Sequence, residues 1–208
     1  KPRFRDVLSK SRAINVLSAA RMFLFGARDV WFVIALPVYL SAVFGWDFWL
    51  IGGFMASWVI GYGIIQSVAP SLTRTRDGRV PDGRAALIWA LLLAGLPAGI
   101  ALGLAFDYSP QIVLIGGLWL FGALFAVNSS LHSYLIVSYA KEDGVSLDVG
   151  FYYMANAMGR LLGTLLSGWI YQAYGLQPCL VVSSALILLA AGFSVALPRH
   201  RLGSAAQA

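Results

Sequence analysis

Six long runs of apolar residues, separated by short polar connectors, organise the whole chain. They cover Val16–Phe44, Phe48–Ala69, Ala85–Phe106, Gln111–Tyr139, Val149–Tyr174 and Leu176–Leu197. A helix needs about 20 mainly apolar residues to cross a hydrocarbon core of about 30 Å, and every run meets that length. The runs are continuously apolar, whereas the strands of a membrane barrel alternate over about ten residues, so helices are predicted throughout. Only Gly175 and its neighbours separate the last two runs, and Asp107-Tyr108-Ser109-Pro110 separates the third from the fourth. Connectors that short predict antiparallel pairs. The expected fold is all-α: a polytopic membrane protein of six transmembrane helices.

Composition supports the same class. Of 208 residues, 59% are hydrophobic and 12% charged, against about 45–50% and about 25% in soluble domains. Too little polar surface is available to cover a water-facing exterior. The single cysteine, Cys179, excludes an internal disulfide framework.

The net charge of +6 changes meaning once the residues are placed. Five Lys and Arg residues lie in Lys1–Arg12, four in Arg74–Arg84, one at Lys141 and two at Arg199 and Arg201. None lies in the alternate connectors around Gly45–Asp47, Asp107–Pro110 and Gly175–Pro178. By the positive-inside rule this distribution marks one face as cytoplasmic, with both termini there. The basic charge is topological, and no nucleic-acid partner is expected. The domain reading is a basic cytoplasmic segment over 1–12, a six-helix membrane unit over 13–201 and a cytoplasmic tail over 202–208.

Polar residues are distributed unevenly among the runs. The third and sixth hold almost none, while the others hold Arg21, Arg28, Asp29, Gln66, Asn128, His132, Asn156 and Arg160. Ionisable groups in lipid face a bundle interior or a wet cavity. The third and sixth helices are therefore expected at the periphery and the other four around a cavity. Every third helix is then an outer one, as in two three-helix repeats. On the fifth run Asn156, Arg160 and Thr164 form one stripe, and Ala155, Gly159, Gly163 and Ser167 form a second about 100° away. The small-residue stripe predicts close packing of a neighbouring helix.

An arginine in mid-span costs about 2.5–3.5 kcal/mol on insertion scales, so each one needs a reason. Arg160 sits near the middle of its run, and two readings stand for it: an anion-binding group or a structural ion pair. Arg21 and Arg28 share nearly one face of the first run. Arg21, near the cytoplasmic end, is expected to snorkel. Adjacent helical residues point about 100° apart, so the partner of Asp29 is expected on another helix rather than at Arg28. Asp29 is either a counter-ion to Arg28 or Arg160 or a protonatable coupling group. His132, one turn after Asn128, is either a buried neutral histidine or a proton-relay or substrate contact. Three arginines against one carboxylate predict a positive cavity and an anionic solute, because guanidinium suits phosphate-like and carboxylate groups. The candidate substrate-binding residues are Arg28, Arg160, Asn156, Asn128 and His132, with Asp29 as the coupling candidate. No nucleophile elbow, phosphate-binding loop, metal-ligand cluster or dinucleotide fingerprint occurs. Neither an enzymatic activity nor a cofactor or metal is expected.

Four stretches carry a resemblance. The basic connector Leu72–Arg84 (LTRTRDGRVPDGR) loosely resembles the Gly- and Arg-rich loop of major facilitator superfamily permeases. The stretches Ala13–Phe32 (AINVLSAARMFLFGARDVWF), Phe121–Tyr139 (FGALFAVNSSLHSYLIVSY) and Asp148–Thr164 (DVGFYYMANAMGRLLGT) resemble the organoarsenical efflux permeases of bacterial arsenic-resistance operons. The resemblance implies the C-terminal half of a twelve-helix permease in the bacterial inner membrane, with an N-terminal six-helix half as its partner. It also implies export of 1-arseno-3-phosphoglycerate and a functional link to the glyceraldehyde-3-phosphate dehydrogenase that forms this ester from arsenate. The alternatives are a general sugar-phosphate or organic-anion permease and a non-transporting membrane scaffold. No site residue is carried over from the family.

Overall fold

A computed structural model describes residues 9, 11–73, 81–106, 108–140 and 145–199. Apart from residues 9, 11 and 12, the expected terminal segments 1–12 and 202–208 lie outside the described residues. Among the described residues there are seven α-helices and no strand: α1 (Arg12–Phe32), α2 (Ala35–Phe44), α3 (Phe48–Thr73), α4 (Gly83–Ala105), α5 (Pro110–Tyr139), α6 (Val145–Tyr174) and α7 (Leu176–Val195).

One expectation is corrected and another is met in part. The first run is not one helix but two, broken at Val33–Ile34. Pro37 explains the break: it has no N–H to donate four residues back, and its ring clashes with that turn. The amide freed at Ala35 donates instead to Ser167 Oγ of α6 at 3.1 Å. Five stretches rather than six are long and apolar enough to cross a membrane: α1 with α2 together, α3 to Ser71, α4, α5 and α7. The 30 residues of α6 give it a length of about 45 Å, but Asp148, Asn156, Arg160 and Gln172 lower its apolarity. The architecture is consistent with a membrane-embedded protein.

Local chemistry sets several boundaries. Asp82 caps α4 by accepting from the amides of Arg84 and Ala85, at 2.9 and 3.3 Å. Gly175, at φ 82°, is the one residue between α6 and α7, and a left-handed residue lets the chain reverse there.

The packing is centred on α1, which lies against α6 and α7, while α5 lies against α3 and α4. Helices α4 and α7 pack on each other and close one flank. Two serines of α7 face inward: Ser183 Oγ donates to the Ala27 carbonyl at 2.7 Å and Ser184 Oγ to the Ala94 carbonyl at 2.6 Å. Their hydroxyls thus join α7 to α1 and to α4. Helix α3 is the least enclosed, with only Trp58 and Ala69 buried among its described side chains.

A continuous aromatic core fills the space between α1, α3 and α5. Trp31 meets Phe121 edge-on, Phe25 meets Phe125, and Phe32 and Tyr62 flank Trp58. The Trp58 indole donates to the Leu118 carbonyl at 2.9 Å, and a Cβ at Gly122 would sit only 2.7 Å from that nitrogen. Trp31 and Trp58 are buried in this core, and Tyr152 is buried in a second cluster with Ile14, Leu131 and Leu135.

The small-residue stripe of α6 meets a neighbour as expected. A Cβ on Gly159 would collide with the Met22 carbonyl oxygen, and one on Gly163 would lie 2.5 Å from the Gly26 carbonyl oxygen. Backbone meets backbone along α1 and α6.

Candidate functional site

The α1–α6 contact brings the charged residues together. Gly163 leaves room for Asp29, whose Cβ lies 3.1 Å from where a Cβ on that glycine would be. One turn earlier on α6, Arg160 extends back toward the same carboxylate. Arg160 Nε donates to Asp29 Oδ2 at 3.2 Å, and Arg28 Nε donates to Asp29 Oδ1 at 2.6 Å. The Asp29 side chain is 1% exposed, Arg28 14% and Arg160 56%. One buried carboxylate therefore holds two guanidiniums, and the trio carries a net charge of one positive unit.

This geometry corrects one expectation and meets another. Arg28 does pair with its neighbour Asp29, its Nε reaching the carboxylate at 2.6 Å. Asp29 also pairs across helices, as expected, and is counter-ion to both arginines at once. Each guanidinium spends its Nε on the carboxylate. The terminal Nη groups of Arg28 and Arg160 make no hydrogen bond among the described residues. Arg28 is further steadied by two rings, its Cζ lying 5.1 Å from the centroid of Phe25 and 5.4 Å from that of Phe125.

Arg21 does not snorkel. It is 4% exposed, and its Nη1 donates to the Ser129 carbonyl at 3.1 Å and to the Ser129 hydroxyl at 3.3 Å. Its guanidinium lies over the Phe25 ring, 3.9 Å from the centroid. A main-chain carbonyl on another helix is an acceptor that no side-chain pattern reveals.

The remaining candidates divide. Asn156 sits one turn before Arg160 on the same stripe of α6, half-buried, with its Oδ1 unpartnered. Thr164 is one turn further on, also half-buried. Asn128 points elsewhere: it is fully buried, and its amide donates to the Trp89 carbonyl of α4 at 3.0 Å and to the Leu124 carbonyl at 2.9 Å. His132 is 1% exposed with Nδ1 unpartnered. The antiparallel register of α1 and α5 pairs Trp31 with Phe121, Phe25 with Phe125 and Arg21 with Ser129. His132 consequently lies beyond Arg21, on the side away from Arg28. Asn128 and His132 make no hydrogen bond to Arg28, Asp29 or Arg160 among the described residues.

Sequence reasoning missed Phe25, Phe125 and Ser129. The two phenylalanines carry no signal beyond apolarity, and Ser129 acts partly through its backbone. No family model matches the chain, and no curated protein matches it.

Proposed function

We propose that this chain is one six-span half of a secondary transporter that exports an organic anion. The observation that carries this reading is the pair of guanidiniums organised by Asp29, with their Nη groups unengaged and Arg160 more than half exposed. A guanidinium held at Nε presents its remaining N–H groups in a fixed orientation, which suits phosphate-like and carboxylate oxygens. In this reading α6 also crosses the membrane, as the fifth of six spans, and its lower apolarity belongs to a helix that faces a wet path.

The packing supports a two-repeat arrangement. If α1, α3 and α4 are exchanged for α5, α6 and α7, the pair α1–α6 becomes α5–α3, α1–α7 becomes α5–α4, and α4–α7 maps onto itself. Inverted repeats of this kind place a substrate near the bilayer midplane. The cargo proposed from the sequence resemblance is 1-arseno-3-phosphoglycerate. The N-terminal half is the structural partner, the bacterial inner membrane the location, and both termini are cytoplasmic. Glyceraldehyde-3-phosphate dehydrogenase supplies the ester.

The test is arsenate resistance and cargo efflux in a sensitive host expressing the full-length permease. Arg160→Ala and Arg28→Ala are expected to abolish both with membrane expression intact. Full resistance in both variants would leave a scaffold role as the better account.

A further inference from the structure

Phe25 is shared by two arginines. Its ring centroid is 3.9 Å from Arg21 Cζ and 5.1 Å from Arg28 Cζ, so the two guanidiniums lie within about 9 Å of each other across one aromatic ring. Arg21 and Arg28 are seven residues apart, nearly two full turns, and share a face of α1.

Charge compensation separates them. Both ion pairs among the described residues use Asp29, and neither involves Arg21. Arg21 has only neutral partners: the Ser129 carbonyl and hydroxyl and the faces of Phe25 and Tyr152. Its Nε has no hydrogen-bond partner at all. Buried charges are ordinarily paired because leaving water is costly. Among the described residues no carboxylate pairs with Arg21, and at 4% exposure its charge is little screened by solvent.

We infer that Arg21 is a specificity-determining residue of the proposed anion site and acts on it through its charge, without touching the anion. The inference rests on the anion-site reading above. A unit charge about 10 Å away in a medium of effective dielectric about 20 is worth about tenfold in affinity for a monovalent group. Salt weakens this little, because the charge is enclosed. The trio of Arg28, Asp29 and Arg160 supplies the contact and one net positive unit; Arg21 supplies a second. Selection for anions is thus stronger than the contact residues alone would give.

Charge and hydrogen bonding are separable by substitution. Arg21→Lys keeps the charge and a donor. Arg21→Gln keeps a donor toward the Ser129 carbonyl and loses the charge. Ser129→Ala removes one neutral acceptor and leaves the charge. Binding of 3-phosphoglycerate, a stable phosphate-bearing anion, is measured by titration calorimetry on the purified full-length protein at low and high salt. The expected result is affinity close to the parent for Arg21→Lys and Ser129→Ala, and at least about tenfold weaker for Arg21→Gln at both salt concentrations, because 3-phosphoglycerate carries more than one negative charge. Equal weakening in Lys and Gln variants, or parental affinity in Arg21→Gln, overturns the inference while leaving the anion site in place. If Arg21→Gln does not fold, a tenfold loss in Ser129→Ala overturns it, since that variant retains the charge. A parent protein that binds no 3-phosphoglycerate overturns the anion-site reading and this inference with it.

Discussion

Asp29 Oδ2 accepts a hydrogen bond from Arg160 Nε at 3.2 Å and so joins α1 to α6 beside the close approach of Gly163 to the Gly26 backbone. The same carboxylate accepts from Arg28 at 2.6 Å. It is the hub, and the arginines are its spokes.

The hub and the spokes differ in what their removal leaves behind. Asp29→Asn strands two guanidiniums beside each other, and loss of one partner of a buried pair costs about 3 kcal/mol or more. Arg160 is 56% exposed, so Arg160→Gln is expected to cost less than about 1 kcal/mol. Thermal unfolding in detergent checks the ranking, and equal losses would contradict it.

The glycine contact makes an ordered series. Gly159→Ala must push α6 away from the Met22 carbonyl, for which overpacking of about 1–3 kcal/mol is expected. Gly163→Ala crowds both the Gly26 carbonyl and Asp29 Cβ, so it should also weaken anion binding. Gly53, within α3, has open space around its Cα, and Gly53→Ala is expected to stabilise by about 0.5–1 kcal/mol. Unfolding midpoints for the three variants read this order directly.

Ser167 supports the broken helix. Its hydroxyl accepts from the Ala35 amide at 3.1 Å, and Ser167→Ala leaves that buried donor unsatisfied at a cost of about 1–3 kcal/mol. Hydrogen exchange at Ala35 should accelerate more than exchange elsewhere in α2. Unchanged protection at Ala35 would show that the hydroxyl is not the effective acceptor.

Asn128 tests the division of the candidate residues. Because its amide is spent on the Trp89 and Leu124 carbonyls, Asn128→Leu is expected to lower stability by about 1 kcal/mol and to leave 3-phosphoglycerate affinity unchanged. A selective loss of affinity, with the unfolding midpoint preserved, would return Asn128 to the site.

The helices themselves were legible from hydrophobic run length, because backbone hydrogen bonding in an apolar medium leaves little choice but a helix. Their ends were legible to within a few residues, including the single-glycine connector at Gly175, which a left-handed backbone explains. The stripe of Gly159, Gly163 and Ser167 announced a close neighbour through its spacing. It did not say that the neighbour would be α1, since small residues fit against any backbone. The break at Val33–Ile34 was hidden within an unbroken apolar run, although Pro37 stood in it.

What the sequence by itself determined is therefore one-dimensional: which segments are apolar helices, where positive charge flanks them, and which few residues are too polar to face lipid. Tertiary structure alone decided the pairing of those residues. Asp29 takes both Arg28 and Arg160 because α1 and α6 approach at glycine distance. Arg21 takes the Ser129 carbonyl, and Asn128 turns to α4. The physical reason is that helix periodicity specifies a face. The acceptors found there, often main-chain carbonyls, belong to another helix, and only packing brings that helix into reach.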